Sequence, residues 1–397
     1  MEKLAINGGM PVRETLIGYG RQYIDEEDIA AVVETLRSPA LTCGPKIGEL
    51  EQKLCRITGA KYAVAVSNGT AALHIAAMAA GIGEGDEVIV SPITFAASAN
   101  CVLYCGAKPV FADIHPETYN IDPVSVRSKI TERTKAIVAV DFTGQAVELE
   151  ELRAICEEYD LILIEDAAHS IGTKYKGQPV GSVADMTTFS FHPVKTVTSG
   201  EGGAVTTNDE ALYRKLVLGR EHGITRKQEQ MVNPSDAGLY YEQVSLGYNY
   251  RMTDIQAALL ISQLNKLELF SKRRKEIVAK YNAVFGEMPE ILVQKEIPES
   301  DTTRHLYILR LNRELLSCDR REFFDALRAE NIGTQVHYIP VYWHSYYEKL
   351  GYVKGLCPIA EKIYGDILSI PLFYSMTDED VEDVICAVKK LVEHFKK

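Results

Sequence analysis

The sequence lacks the features that would place the protein in a membrane, outside the cell or on a nucleic acid. No uncharged run approaches the roughly 20 apolar residues of a membrane-spanning helix, and residues 1–9 contain no apolar core of signal-peptide length. The eight cysteines are scattered and form no C-x-x-C pair, as expected for thiols in a reducing compartment. The net charge of -12 argues against a nucleic-acid partner, which needs a basic face. We therefore expect a cytoplasmic protein.

A metal site is also not expected from the cysteines. Cys101 and Cys105 are four residues apart in a helix-like stretch, a spacing that metal sites can use. No histidine or carboxylate that could complete such a site stands near them in the sequence. Buried thiols are the preferred interpretation.

The length of 397 residues predicts two domains, because a single core rarely grows that large. We assign residues 1–254 to an N-terminal arm and a large domain, and residues 255–397 to a smaller α+β domain. Short Val- and Ile-rich runs alternate with helical stretches from Tyr62 onwards, which predicts an α/β fold with a mainly parallel seven-stranded sheet covered on both faces. The predicted strands are 63–67, 87–91, 109–112, 136–141, 161–165, 186–191 and 203–206.

The smaller domain is predicted to begin with a long helix. Thr253 and Asp254 cap this helix, whose apolar spacing continues toward Phe285. The pattern after it predicts a strand at 304–311, a helix at 320–330, a strand at 334–338 and a final amphipathic helix at 378–395.

A glycine-containing turn follows the first predicted strand and opens a helix. The turn reads Ser67-Asn68-Gly69-Thr70. Small residues let backbone amides approach an anion at a helix N-terminus, and the Thr70 hydroxyl could add a hydrogen bond. The same residues would also form an ordinary N-cap, so both interpretations stay open.

Two later strands end in chemically active side chains. Asp166 and His169 follow the strand at 161–165, and Ser190 and Lys195 follow or end the strand at 186–191. Strand exits at the carboxyl edge of a parallel sheet are where α/β proteins place their chemistry. A carboxylate can keep a pyridine ring protonated, a hydroxyl can hold a phosphate and an amine can bond to an aldehyde. Together they predict a site for pyridoxal 5'-phosphate (PLP).

Each of these residues has a simpler interpretation when taken alone. Asp166 could cap the next turn, His169 could be structural or could orient Asp166, and a lysine after a strand is usually a surface residue. Glu165 precedes Asp166, and only one of the two can face a pocket on a given side of the strand. The combination in one short segment, with Lys195 in a turn rich in glycine and threonine, favours the cofactor site.

Four segments in the same order resemble the DegT/DnrJ/EryC1/StrS family of PLP-dependent nucleotide-sugar aminotransferases. They are Asp-Ala-Ala-His-Ser, Ser-Phe-His-Pro-Val-Lys, Gly-Glu-Gly-Gly and Gly-Tyr-Asn-Tyr-Arg-Met-Thr-Asp. The resemblance covers nearly the whole chain and implies the aspartate aminotransferase (type I) fold. Segments 140–144, 192–195 and 335–340 are most similar to the UDP-4-amino-4,6-dideoxy-N-acetyl-β-L-altrosamine transaminases of pseudaminic acid synthesis. Aminotransferases of spore-coat polysaccharide synthesis share several of these sequence segments.

The resemblance implies a role for individual residues. Lys195 would bond covalently to the cofactor, Asp166 would pair with its ring nitrogen, and Phe95 would stack on its ring. Asn249 would reach the phosphate in the neighbouring subunit of a homodimer, so that the active site is shared. The expected cofactor residues are Gly69, Thr70, Phe95, Asp166, His169, Ser190, Lys195 and Asn249, and the expected nucleotide-sugar contacts are Tyr19, Pro39, Ala40, Leu41, Thr42, His337 and Tyr338.

The reaction implied is a two-stage transfer of an amino group from L-glutamate to C4 of a UDP-4-keto-6-deoxy-N-acetylhexosamine, with Lys195 moving the proton. Some family members carry histidine in place of this lysine and dehydrate their substrate, so Lys195 favours transamination. The alternatives are an aminotransferase for another keto sugar, linked to GDP or TDP, and a sensor of the same fold that binds ligand without amine transfer.

Overall fold

The computed structural model describes residues 3–233 and 239–397, and a seven-stranded sheet forms the centre of the first part of the chain. The sheet confirms the predicted mainly parallel arrangement. In spatial order its strands are Tyr62–Val66, Gly203–Thr207, Met186–Ser190, Ile162–Asp166, Thr134–Val140, Glu87–Val90 and Lys108–Phe111.

Six of the seven strands point in one direction. Only Gly203–Thr207 runs antiparallel to its two neighbours, because it returns from Met186–Ser190 as a hairpin in which Ser190 pairs with Gly203. The remaining pairs are parallel. The carboxyl ends of the six strands, and the loops that leave them, therefore meet at one edge of the sheet.

Apolar cores cover both faces of this sheet. On the strand Tyr62–Val66, Val64 and Val66 pack into one core while Ala63 and Ala65 pack into the other. This follows from the alternation of side chains along a strand. The accompanying helices are Glu26–Arg37, Pro45–Thr58, Gly69–Ala79, Ala97–Tyr104, Pro123–Lys129, Leu149–Tyr159, Glu210–Arg220 and Asp254–Asn265.

The C-terminal part builds a separate three-stranded antiparallel sheet from Ile291–Val293, Tyr307–Leu311 and Ile367–Ile370. A third apolar core joins it to the helices around it. The helices of this part are Leu267–Phe285, Arg320–Ala329, Ser345–Lys349, Pro358–Asp366 and Asp378–Phe395. The division of the chain at residue 254 stays a prediction. Within residues 3–233 and 239–397, no helix combines the length and apolarity needed to cross a bilayer.

The single long helix predicted from Asp254 to Phe285 is wrong. The structure has two helices, Asp254–Asn265 and Leu267–Phe285, which meet at the non-helical Lys266 (φ -100°, ψ 1°). The Lys266 ammonium lies 2.6 Å from Asp25 Oδ1 and 2.8 Å from Asp28 Oδ2. Asp25 and Asp28 form the capping box of the helix Glu26–Arg37. The ion pairs of Lys266 therefore hold the break between the two helices against the N-terminus of that helix.

Two predicted strands of the C-terminal part also need correction. Residues 334–338 form no strand; only Gln335 makes an isolated bridge, to Ser369. The strand predicted at 304–311 begins only at Tyr307, because Arg304 has a φ of +60° that strands do not adopt. His305 instead donates its backbone N–H to Thr143 O at 2.8 Å.

Candidate active site

A cavity of about 780 Å³ lies at the carboxyl edge of the central sheet. The cavity is lined by ten of the residues that the sequence analysis assigned to the cofactor or to the nucleotide sugar. They are Tyr19, Gly69, Thr70, Phe95, Asp166, His169, Ser190, Lys195, His337 and Tyr338. Residues at neighbouring strand exits and residues more than 300 positions apart in the chain, such as Tyr19 and Tyr338, therefore line the same cavity.

Asp166 is the buried carboxylate of this cavity. It is the last residue of the strand Ile162–Asp166 and is 5% exposed. Ser98 Oγ donates a hydrogen bond to its Oδ2 at 2.6 Å, and the Ala168 N–H donates to its Oδ1 at 3.2 Å. Burial raises the pKa of Asp166, while these hydrogen bonds and the charge of Lys195 oppose that rise. The site thus offers a carboxylate whose charged form has dedicated donors.

Lys195 lies in the loop 191–202 that closes the hairpin of the sheet. Phe191 anchors both ends of this loop: its N–H donates to Gly202 O at 2.8 Å, and its carbonyl accepts from Ser199 N at 3.0 Å. Burial lowers the pKa of the Lys195 amine to about 8, and the charge of Asp166 opposes that fall. An amine with such a pKa loses its proton readily, as a nucleophile must.

The turn after the first strand is both an N-cap and part of the cavity wall. Asn68 caps the helix Gly69–Ala79, its side-chain oxygen accepting from Ala71 N at 2.8 Å. Gly69 packs so closely on Ser190 that an added Cβ would lie 2.8 Å from Ser190 Cβ. A helix N-terminus, the Thr70 hydroxyl and the Ser190 hydroxyl therefore surround one corner of the cavity. This combination suits an anion such as a phosphate.

Aromatic and imidazole rings form another part of the cavity wall. The His169 Nε2 lies 3.2 Å from Tyr338 Oη, and the His337 Nδ1 lies 2.8 Å from Ser369 Oγ. Burial lowers the pKa of His169 well below its usual range, and lowers the pKa of His337 to about 4. Both rings are therefore neutral at physiological pH. Phe95, 63% exposed, stands with its ring 6.4 Å from that of Tyr338.

Five of the predicted residues do not line the cavity in this chain. They are Pro39, Ala40, Leu41, Thr42 and Asn249. Thr42 bridges to Thr253, and exposed Asn249 bridges to Glu221. Glu221 also lines a second, smaller pocket of about 250 Å³ beside Cys43 and Arg251. The five residues thus belong to a neighbouring surface.

The structure adds residues that the sequence prediction missed. Ser98 touches Asp166 directly and lies 2.7 Å from Thr94 Oγ1. Its only sequence signal is a serine in the apolar helix Ala97–Tyr104 shortly after Phe95. Glu201 and Tyr250 also line the cavity. They lie within the Gly-Glu-Gly-Gly and Asn-Tyr-Arg-Met segments, which carry the family resemblance but whose Glu201 and Tyr250 were not predicted to be site residues.

A nucleophilic lysine, a buried carboxylate and an anion seat at the edge of a doubly covered α/β sheet define a group-transfer enzyme that works through a carbonyl group. The profile of the DegT/DnrJ/EryC1/StrS aminotransferase family matches residues 22–389. The chain belongs to this family and is an aminotransferase.

Two relatives are similar over almost their whole length. The spore coat polysaccharide biosynthesis protein SpsC of Bacillus subtilis is 42% identical over 383 residues, which cover 96% of this chain and 98% of that protein. The UDP-4-amino-4,6-dideoxy-N-acetyl-beta-L-altrosamine transaminase of Campylobacter jejuni is 39% identical over 386 residues, covering 96% and 99%.

Solved structures share the fold at similar coverage. Helicobacter pylori PseC, an aminotransferase involved in the biosynthesis of pseudoaminic acid, aligns with a TM-score of 0.89 at 33% identity, covering 96% of this chain and 100% of PseC. The PLP form of Spr1654, a sugar aminotransferase by its description, from Streptococcus pneumoniae, aligns with a TM-score of 0.88 at 32% identity, covering 96% and 99%. A PMP form of the same protein also aligns.

Proposed function

We propose that this aminotransferase uses pyridoxal 5'-phosphate to move an amino group from L-glutamate to C4 of a UDP-4-keto-6-deoxy-N-acetylhexosamine, in the cytoplasm. The observation that carries the proposal is the Lys195 amine in the same cavity as the buried Asp166 carboxylate. The similarity to the Campylobacter transaminase and to PseC supports the sugar substrate.

The residues present fit this cofactor. Asp166 would hold the protonated ring nitrogen, Lys195 would hold the aldehyde carbon, and the corner formed by Gly69, Thr70 and Ser190 would hold the phosphate. The close packing of Gly69 on Ser190 leaves no room for a side chain in that corner. When bound, the cofactor supplies an electron sink that makes the substrate C–H bond acidic.

The chain's own residues then handle the proton and the charge. Lys195, once released from its covalent bond, would take the proton from the carbon of the donor and deliver it to the cofactor in the first stage. In the second stage it would move a proton in the reverse direction, from the cofactor to C4 of the sugar. Its pKa of about 8 lets both protonation states be populated near neutral pH. The hydrogen bonds from Ser98 and from Ala168 N–H favour the charged form of Asp166, which is the form that would accept a hydrogen bond from a protonated ring nitrogen and stabilise its charge.

The sugar side of the cavity is proposed to be the wall with Tyr19, His337 and Tyr338. Neutral imidazoles and phenol hydroxyls can donate and accept hydrogen bonds, which suits an uncharged N-acetylated sugar. The Tyr19 and His337 rings stand 5.2 Å apart and provide an apolar edge beside those polar groups.

A homodimer with shared active sites is part of the proposal. Asn249 and the loop 39–42 lie outside the cavity of their own chain, around the second pocket. A partner subunit that placed this surface against the open side of the cavity would bring Asn249 to the phosphate corner. Removing Asn249 should then weaken cofactor binding in mixed dimers at the site of the other subunit only.

A panel of keto sugars tests the function. The purified enzyme is mixed with L-glutamate and with UDP-, GDP- or TDP-linked 4-keto-6-deoxy sugars, and products are identified by mass spectrometry and NMR. We expect amination at C4 of the UDP-linked N-acetyl sugar. The cofactor absorbance should bleach with glutamate and return with this sugar. Bleaching without any amination of the UDP sugar would contradict the proposed substrate.

A second candidate substrate follows from the 42% identity to SpsC. That similarity favours a keto sugar destined for a surface polysaccharide. The same panel separates the two, because the second candidate predicts turnover of a GDP- or TDP-linked sugar in preference to the UDP-linked one.

A further inference from the structure

The N-terminal arm reaches the cavity by crossing the C-terminal part of the molecule. Leu4 and Ile17 are buried in the third apolar core, and Tyr19 lies at the cavity. Apart from the short 3₁₀ turn Ala5–Asn7, the described residues 3–24 of the arm form no helix or strand of their own. Its course must therefore be set by contacts with other elements.

One buried carboxylate holds the arm over most of this course. Glu330, fully buried directly after the helix Arg320–Ala329, accepts hydrogen bonds from two arm amides. Its Oε1 accepts from Ala5 N at 2.9 Å, and its Oε2 accepts from Val12 N at 2.9 Å. Two points of the arm that are seven residues apart are thereby fixed to a single side chain.

A lysine completes this contact from a second helix. Lys390 of the helix Asp378–Phe395 places its ammonium 3.1 Å from Glu330 Oε2 and donates to Met10 O at 2.8 Å. A buried charge is costly unless it is paired and hydrogen-bonded, and Glu330 has both kinds of partner. We call Glu330 and Lys390 the arm clasp.

Backbone hydrogen bonds also hold the last part of the arm, up to Tyr19, and two of them come from the segment directly after Glu330. Ile17 N donates to Asn331 O at 3.0 Å, and Gly333 N donates to Ile17 O at 2.7 Å. A Cβ on Gly333 would lie 2.5 Å from Ile17 O, so only glycine allows this approach. Leu372 N then donates to Tyr19 O at 3.1 Å.

From this path we propose that Glu330 is a positioning residue, which through the arm clasp fixes Tyr19 at the sugar side of the cavity. The inference rests on the proposed function for the role of Tyr19. Glu330 itself does not line the cavity. Its effect should therefore appear in binding of the sugar and leave the reaction with glutamate unchanged.

The test compares the two half-reactions of the holoenzyme in Glu330→Gln. The amide keeps the shape of the carboxylate but turns an N–H₂ group toward an arm amide and removes the negative charge that lies 3.1 Å from the Lys390 ammonium. We expect the KM for the keto sugar to rise about tenfold, with the KM for glutamate within about twofold of wild type. Trypsin should also cleave the arm faster after Arg13.

Two further variants make the result specific. Lys390→Met breaks the clasp from the other side and should likewise raise the KM for the keto sugar and the rate of cleavage after Arg13. This variant keeps the inference testable if Glu330→Gln folds poorly. Glu290→Gln is the matched control, because Glu290 is also buried (2% exposed) and pairs with Lys396 at 2.6 Å, with no hydrogen bond or ion pair to the described residues 3–24 of the arm. It should leave the KM for the sugar and the rate of cleavage unchanged.

An unchanged KM for the sugar in both clasp variants, or an equal rise in both KM values, would overturn the inference. Tyr19→Phe, measured in parallel, separates this failure from a failure of the proposed substrate contact. If the wild-type enzyme aminated no sugar of the panel, the proposed function would fail. Unchanged cleavage after Arg13 in Glu330→Gln would still overturn the clasp in that case.

Discussion

Glu165 and Asp166 are adjacent carboxylic acids at the end of one strand, but their side chains lie in different environments. Asp166 lines the cavity, where Ser98 and the Ala168 N–H donate to it and Lys195 supplies a positive charge. Glu165, fully buried, accepts a hydrogen bond from Thr187 Oγ1 at 2.8 Å and lies beside the carboxyl group of Asp141. The alternation of side chains along the strand separates the two.

The difference is one of charge state. Burial raises the pKa of both groups, and hydrogen bonds oppose the rise at both, but at Asp166 the positive charge of Lys195 opposes it as well. The pKa of Glu165 rises to about 7, and that of Asp141 rises well above its usual value through burial and the Glu165 charge. Two buried carboxyl groups in contact are most stable when they share one proton. The strand end thus carries one acid beside a cation in the cavity and a second acid in contact with another carboxyl group in the core.

We expect the largest effect on activity from the removal of Lys195, the cation that lies beside Asp166 in the cavity. Lys195→Ala loses the covalent anchor and the proton carrier together, so kcat should fall by about five orders of magnitude or more. Single-turnover kinetics with glutamate measures this loss. Lys176→Ala, which removes a surface ion pair with Glu150, is the control and should keep full turnover.

Neutralising each acid in turn tests the comparison itself. Asp166→Asn should lower kcat by about 10³-fold or more because an amide cannot keep the ring nitrogen protonated. Glu165→Gln should stay within about threefold of wild type, because its side chain faces away from the cavity. Equal losses in the two variants would show that the two acids do not differ in role.

The hydrogen bond from Ser98 accounts for part of the difference between the acids. Ser98→Ala removes the shortest donor to Asp166, so the pKa of Asp166 should rise. The acid limb of the pH–rate profile would then move to higher pH, with about a tenfold loss of rate at the acid end. Ser262→Ala, at a buried serine of the helix Asp254–Asn265, should leave the profile in place.

The smallest effect concerns stability. A carboxyl group with a raised pKa in the folded state stabilises the fold below its unfolded pKa, and this contribution is lost as the pH rises through the folded value. For Glu165 the loss falls between about pH 4.5 and pH 7. Glu165→Gln should therefore flatten the decline of the unfolding temperature of the apoprotein over this range, as measured by circular dichroism. Asp141→Asn should do the same, and the double variant should add nothing further. Parallel curves for wild type and variants would contradict a shared proton.

Chemistry that depends on neighbouring residues in the chain could be predicted from the sequence. Strand exits placed Asp166 and Lys195 together because the carboxyl ends of parallel strands meet at one edge, and Gly69 and Ser190 meet there for the same reason. The seven strands were predicted from short apolar runs. The preference for Asp166 over Glu165 came from the family resemblance, since alternation alone does not say which face holds the cavity; in the structure Asp166 lines the cavity.

Features that depend on distant residues could not be predicted in this way. The hydrogen bond between Ser98 and Asp166 spans 68 positions, and that between Ala5 and Glu330 spans 325. The end of the helix at Lys266 is set by carboxylates of another helix, where local propensity predicts continuation. In each case tertiary contacts overrode the local pattern.

The central claim is that the Lys195 amine carries the cofactor opposite Asp166. Sodium borohydride reduction of the holoenzyme, followed by proteolysis and peptide mass spectrometry, tests it most directly. We predict a phosphopyridoxyl group on the peptide that contains Lys195, and its absence after incubation with glutamate. A label on a different lysine, or no label on a protein that still transfers the amine, would contradict the claim.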